Sequence, residues 1–219
     1  MLNPNPAALI FDMDGTLLDT EPLYTEATQK VLDPYGATYT LELKRQCIGG
    51  DSHVSAQIVI DACELPLTTE AFLKARETHL MALFPSAPEM PGTAAFIEAL
   101  AAKGVTLGLA TSSHRHLVDV KFNHRPWAKH FSVKICGDDA ELKRGKPAPD
   151  IFQLCAARLG VDPADCIAFE DSPNGVTAAI AAGMQVVAIN SPYVEPGALS
   201  AAVCSIDHYD ELGSLLSAL

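Results

Sequence analysis

Hydrophobic positions follow two patterns along this chain. Short continuous runs, Ala7–Phe11, Val105–Ala110, Val133–Cys136, Cys166–Phe169 and Val186–Ile189, each end in polar residues. A run of that length fits a strand covered on both faces. After residue 90 the stretches between the runs carry apolar residues at helical spacing. Thr93 is placed to cap a helix with Phe96, Ile97 and Leu100 on one face, ending at Gly104. Asp150 opens a second, with Ile151, Leu154, Cys155 and Leu159, before Gly160; a third runs from Pro173 through Val176, Ala179 and Ile180 to Gly183. Strands alternating with helices at this spacing predict an α/β fold, a parallel sheet with helices on both faces.

Residues 17–89 read differently. They show no strand pattern, but helical spacing begins at Glu21-Pro22 with Leu23, Ala27 and Val31 and stops at Gly36, then returns over 52–63 and 69–83. Pro85, Pro88 and Pro91 close the stretch. The expectation is a helical domain over 17–89, inserted after the first strand and returned through a proline-rich hinge. Residues 1–16 and 90–219 would then form the sheet domain.

Charge narrows the possible partners. Asp and Glu number 27 against 15 Lys and Arg, a net of −12 over 219 residues. That balance disfavours non-specific binding to nucleic acid or anionic membranes, and an anionic substrate would need a local positive feature. Apolar residues at 48% and charged residues at 19% fit a folded, soluble chain. No apolar stretch approaches the roughly 20 residues that span a bilayer. Met1–Pro6 offers neither the basic nor the apolar segment of a secretion signal. Cys47, Cys63, Cys136, Cys155, Cys166 and Cys204 form no C-x-x-C pair and are expected as buried free thiols in a reducing cytoplasm.

Candidate chemistry gathers where the runs end. Asp12-Met13-Asp14-Gly15-Thr16 follows the first, Thr111-Ser112-Ser113 the second, and Glu170-Asp171 the Cys166–Phe169 run. In open parallel sheets ligands bind beyond the carboxyl ends of the strands, so all three would meet at one edge. Asp12 and Asp14, two apart, share a face if the extended geometry persists, and Gly15 allows a sharp turn. A hydroxyl ahead of a helix suits a phosphate oxygen. A second carboxylate pair supplies the hard oxygens Mg²⁺ prefers. Lys146, in Arg144-Gly145-Lys146-Pro147, is positioned to neutralise a phosphate or a carboxylate. Each element also has an ordinary use: an Asp-rich turn, a helix cap at Thr111–Ser113, a solvated Lys146, Glu170-Asp171 capping the helix after Pro173. Their joint position favours the chemical reading.

In that order the motifs closely resemble the haloacid dehalogenase-like superfamily, matched by Asp12-Met-Asp14-Gly-Thr16, Thr111, Lys146 and Glu170-Asp171. The resemblance covers nearly the whole chain and implies a Rossmann-like core with an inserted helical cap. Asp19-Thr20-Glu21-Pro22, Gly145–Phe152 and Phe169–Gly175 look like the β-phosphoglucomutase-like branch. Within it, Met90-Pro-Gly92, Ala110–Ser113 and Ala56–Asp61 followed by Leu65-Pro66 are similar to pseudouridine 5′-phosphatases and glycerol-3-phosphatases.

The resemblance implies a phosphatase acting on a small phosphorylated metabolite. Asp12 would be the nucleophile and Asp14 the acid/base. Mg²⁺ would be held by Asp12, the main-chain carbonyl of Asp14, and Asp171, with Glu170 joining directly or through water. Thr111, Ser112 and Lys146 would bind the phosphoryl group. The family's dehalogenases lack an equivalent of Asp14, which disfavours dehalogenation. Mutases carry basic residues where this chain has Glu21 and Gly49-Gly50-Asp51-Ser52-His53, which disfavours a second phosphate. A phosphosugar mutase and a silent binding protein are the alternatives; a monomer is the expected state, with a dimer still open. His53 is expected to face solvent in a loop, and His114, Arg115 and His116 to border the site, with Arg115 the best placed to touch substrate. Trp127 is expected to pack, and Asn174 and Asp150 to support the Asp171 and Lys146 loops.

Overall fold

All five apolar runs are strands in the computed structural model, which describes residues 2–48 and 52–219. They are β1 (Ala8–Phe11), β2 (Leu107–Ala110), β3 (Phe131–Ile135), β4 (Cys166–Glu170) and β5 (Gln185–Ile189), joined at one edge by β6 (Cys204–Ile206). The sheet is parallel throughout, in the order β3-β2-β1-β4-β5-β6. The helices are α1 (Glu21–Leu32), α2 (Leu41–Cys47), α3 (Ser52–Ala62), α4 (Thr69–Leu83), α5 (Thr93–Ala102), α6 (Arg115–Phe122), α7 (Asp150–Leu159), α8 (Pro173–Ala181) and α9 (Gly213–Ala218).

Alternate residues of β1 enter opposite cores, as a two-residue side-chain period requires. Leu9 and Phe11 pack with Phe96, Ile97 and Leu100 of α5, Val118 and Phe122 of α6, and Trp127. Ala8 and Ile10 pack with Ile151, Phe152 and Cys155 of α7 and Val176 and Ala179 of α8. Covering both faces keeps the central strands β1, β2, β4 and β5 almost wholly apolar and leaves the carboxyl edge as the place where polar groups collect. Phe11 stacks on Phe169 with ring centroids 4.3 Å apart, fixing β1 against β4 just below that edge.

Between β1 and α5 lie α1 to α4, and no strand occurs there among the described residues. They share a core of their own built from Val31, Leu32, Leu43, Ala56, Val59, Ile60 and Phe72. A smaller cluster, Ala27, Leu80 and Phe84 with Leu117 and Val120 of α6, seats them on the sheet-bearing part. The outgoing and returning connections run side by side. Asp19 N–H donates to Pro88 O at 2.9 Å, Met90 N–H to Leu17 O at 3.0 Å, and Leu18 bridges Glu89 antiparallel.

Several local expectations differ from the structure. Gly92, with φ +83°, occupies the position before α5, and Thr93 begins the helix with its hydroxyl donating to Leu17 O at 3.2 Å. Ile180 of α8 is exposed; Val176, Ala178 and Ala179 form the buried face. Apolar spacing does not reveal α2, because its buried face pairs Leu43 with a lysine, Lys44. An edge position hides β6: Ser205 is exposed, so no run covered on both faces exists to be read. All six cysteines are free, with Cys136, Cys155 and Cys166 buried and Cys47, Cys63 and Cys204 half-buried.

Candidate active site

The carboxyl ends of β1, β2 and β4 bring the candidates together. Asp12 leaves β1 with its N–H bonded to Phe169 O at 3.0 Å, which sets its carboxylate over the adjacent end of β4. Lys146 Nζ donates to Asp12 Oδ1 at 2.6 Å, Glu170 Oε1 at 2.5 Å and Ala110 O at 3.0 Å, using its three protons on three strand ends. Its loop is braced by Arg144, which donates to Asp150 at 2.8 Å. Glu170 Oε2 accepts from Asp171 N–H, Ser172 N–H and Ser172 Oγ at 3.1 to 3.2 Å, so this residue both meets the lysine and organises the start of α8. Ser172 itself caps α8 by accepting from Gly175 N–H at 3.0 Å.

Two glycines make room for the acids. A Cβ on Gly175 would stand 1.9 Å from the Glu170 carboxylate, and one on Gly15, whose φ is +77°, would stand 2.0 Å from Asp171 Oδ2. Larger residues at either position would displace a carboxylate. Thr16 donates to Asp171 Oδ1 at 3.2 Å, and Tyr209 OH anchors the turn by donating to Thr16 O at 3.0 Å.

Charge in this cluster does not balance. Asp12, Glu170 and Asp171 are buried and offer oxygens all within 4.8 Å of one another. One lysine faces three acids. Burial pushes the Asp12 carboxyl up to about 7 against the pull of Lys146, with Glu170 adding repulsion. Burial, then Glu170 and Asp12, push Asp171 well up as well. Lys146 is raised, because the attraction of Asp12 and Glu170 outweighs the cost of burying its charge. An excess of buried hard oxygen donors fits a divalent cation such as Mg²⁺, which would take over the neutralisation that one ammonium leaves unfinished.

Asp14, two residues on, sits in a separate environment. Lys121 of α6, fully buried, donates to Asp14 Oδ1 at 2.5 Å and Oδ2 at 2.7 Å. Thr20 Oγ1 and Ser113 Oγ each donate to it at 2.7 Å. Burial acts to raise Asp14, but the charge and hydrogen bonds of Lys121, with the two hydroxyls, hold it below the usual carboxylate value. Lys121 escapes a sequence reading because a lysine one position before the buried Phe122 looks like part of a solvated face.

The other candidates fall on either side of this site. Thr111, buried at the end of β2, accepts from Ser113 N–H at 3.1 Å and so shapes the loop into α6. Ser112 is exposed, and its neighbour Ser113 is the serine that reaches Asp14. Arg115 is held at the end of β3, donating to Lys134 O at 2.9 Å and pairing with Asp139 at 3.6 Å. His116 pairs with Glu77 of α4 at 2.5 Å, and His114 is exposed ahead of α6. His53 is exposed in the first turn of α3 and not in a loop; Gly49, Gly50 and Asp51 lie outside the described residues. Trp127 is buried and donates to Glu89 at 2.7 Å, and Asn174 is half-buried at the start of α8. A second buried lysine went unread. Lys44 of α2 pairs with the Glu21 carboxylate at 3.1 Å and lies 3.6 Å from the Tyr193 ring centre. Beside it is a hollow of about 270 Å³ lined by Pro22, Thr25, Tyr39, Lys44 and Tyr193.

Known proteins place the chain in a family. Residues 9–189 match the family described as haloacid dehalogenase-like hydrolase. A Drosophila melanogaster protein named "probable pseudouridine-5′-phosphatase" is 46% identical over 187 residues, 84% of this chain and 81% of that one. The Arabidopsis thaliana mitochondrial (DL)-glycerol-3-phosphatase 1 is 39% identical over 187 residues, 83% of this chain and 63% of that one. The crystal structure of CbbY from Rhodobacter sphaeroides in complex with phosphate superposes with a TM-score of 0.82 at 26% identity, covering 97% of this chain and 99% of that one. This chain belongs to the haloacid dehalogenase-like hydrolases.

Proposed function

We propose that the protein is a Mg²⁺-dependent phosphatase that hydrolyses a small phosphomonoester, a sugar, polyol or nucleoside monophosphate, through an aspartyl-phosphate on Asp12. The observation that carries this reading is the segregation of two neighbouring carboxylates: Asp12 in a metal-ready cluster with Lys146, Asp14 in a cation-paired pocket beside it. Names of the similar proteins, a pseudouridine-5′-phosphatase and a glycerol-3-phosphatase, support the substrate class. In this reading 17–89 is the cap and 1–16 with 90–219 the catalytic core. The free thiols support a reducing, cytoplasmic setting, with a monomer the expected state and a dimer still open.

The phosphoryl group is held by Thr111, Ser112 and Lys146. Asp12 attacks phosphorus while the bond to the leaving oxygen breaks, and Asp14, whose resting carboxylate is held ionised by Lys121 and which must first take up a proton for this step, passes that proton to the leaving oxygen. Water then attacks the aspartyl-phosphate, ionised Asp14 takes its proton, and inorganic phosphate leaves with Asp12 restored. Asp12, Asp171, the Asp14 carbonyl and Glu170 would hold Mg²⁺, which when bound supplies positive charge for the transferring phosphoryl oxygens. The buried Lys44 is already engaged with Glu21 and Thr25 and so does not serve as the cation a mutase would use for a second phosphate.

The test is phosphate release with Mg²⁺ over several dozen phosphomonoesters, including pseudouridine 5′-phosphate, glycerol 3-phosphate and 2-deoxyglucose 6-phosphate. Turnover that EDTA abolishes is expected. Isomer formation from a hexose 1-phosphate, or no release from any ester, would overturn the reading.

A further inference from the structure

The most heavily invested buried charge outside the family's motif residues is Lys121. Its three ammonium protons are directed to Asp14 Oδ1, Asp14 Oδ2 and Ser113 Oγ, the last at 2.8 Å. Ser113 in turn donates to Asp14 Oδ2, and Thr20 to Oδ1, so the carboxylate is gripped at both oxygens by three side chains from three segments. The aromatic rings of Phe84 and Tyr24 close over the ammonium, their centres 4.3 and 5.6 Å from Nζ. Lys121 is also fixed at its main chain: Arg125 donates to its carbonyl and to Ala87 O in the returning connection.

Such an investment has little value for stability. An ion pair buried this deeply loses in desolvation most of what it gains in attraction, and an apolar side chain of similar size serves packing as well or better. Its side chain is fully buried beneath those rings, out of reach of a substrate. Whatever Lys121 does for the reaction it does through Asp14. We propose that Lys121 is the positioning residue of the proton-transfer step, holding the Asp14 carboxylate at one fixed point beside the leaving oxygen. This rests on the phosphatase reading above, in which Asp14 donates its proton as the phosphorus–oxygen bond breaks.

Phenyl phosphate and p-nitrophenyl phosphate test it, since they have closely similar shapes while only the more basic phenolate depends strongly on a donated proton. For each, kcat/KM reports the steps up to the aspartyl-phosphate. In K121M the ratio of kcat/KM for p-nitrophenyl over phenyl phosphate should rise by at least about tenfold, a fraction of the roughly 10²- to 10⁴-fold that general acid catalysis supplies. In the D14N background, adding K121M should change kcat/KM for phenyl phosphate by less than about twofold, as expected when one residue acts through the other. The double variant removes both buried charges together, so this comparison stands even if K121M alone does not fold. An unchanged substrate ratio in folded K121M, or a further multiplicative loss in the double variant, would overturn the proposal while leaving the phosphatase reading intact. Failure of the native protein to release phosphate from any ester, these two and the screened metabolites alike, would overturn both.

Discussion

Two carboxylate–lysine pairs stand side by side at the edge of the sheet and come to opposite ends. Around Asp12, a single lysine is divided between Asp12 and Glu170 with Asp171 close by, and the carboxyl is pushed up to about 7 by burial and by its acidic neighbours. Around Asp14, one lysine gives two of its three donors to one carboxylate, two hydroxyls add theirs, and the group is held low. Residue type is the same in both. The ratio of donors to acceptors decides whether a buried acid asks for a metal or is complete without one. Pairs of titratable groups driven apart by their surroundings mark a division of chemical labour.

The largest effect that would break this comparison comes from D12N. It should lower kcat by at least about 10⁴-fold on the best substrate of the screen, since a nucleophile of a covalent mechanism has no substitute; melting should be little changed. Comparable activity in D12N would remove Asp12 from its role. K146M should cost about 10²- to 10³-fold in kcat/KM, the range for losing one charge stabiliser of a transition state.

A metal titration sharpens the contrast in pH terms. Because Asp12 in the metal-free protein titrates near 7 against an ordinary 3.8, the folded state binds the extra proton between those values. From this group the metal-free protein is therefore best stabilised below about pH 4 and loses that contribution as pH rises through 7. A cation must displace the same proton, so the rise in Tm produced by Mg²⁺ should grow from pH 5.5 to about 7 and then level. Scanning calorimetry with and without Mg²⁺ checks this. D12N should flatten the dependence and D14N should preserve it; equal flattening in both would mean that the two environments are not separate. The smallest effect belongs to S113A, which removes one hydroxyl from Asp14 and should cost about fivefold in kcat/KM, near 1 kcal/mol for one hydrogen bond. Steady-state kinetics on the screened substrate decides it.

β1, β2, β4 and β5 were legible because both their faces are covered, and the edge strand β3 because Val133 and Ile135, two apart, share one covered face. Asp12, Lys146, Glu170 and Asp171 were legible because they stand at strand ends or between Gly145 and Pro147, where a bland surface role is least economical. Ser113 was overlooked for Ser112, since neighbouring hydroxyls on a turn carry no periodicity to say which faces inward. Lys121 and Lys44 were unreadable for one shared reason: a lysine on a helix counts as solvent-facing until a buried carboxylate partner is known, and those partners lie 107 and 23 residues away in the chain. The same blindness hid α2, whose inward face depends on Lys44. The 17–89 stretch was readable as helices but not as chemistry, because Glu21 and Lys44 meet only once α1 and α2 pack together and Tyr24 meets Lys121 only across the fold.

The paired connections at Leu17–Asp19 and Pro88–Met90 carry a mechanical consequence. A single peptide joint swivels freely, but two plies cross-linked by hydrogen bonds bend about one axis and resist torsion. Severing one ply with a protease would leave the other to keep the registry of the pair. Thr20 stands at the end of the outgoing ply with its hydroxyl on Asp14, so any swing of α1 would be delivered as torque to the Asp14 carboxylate, the proton carrier of the proposed mechanism.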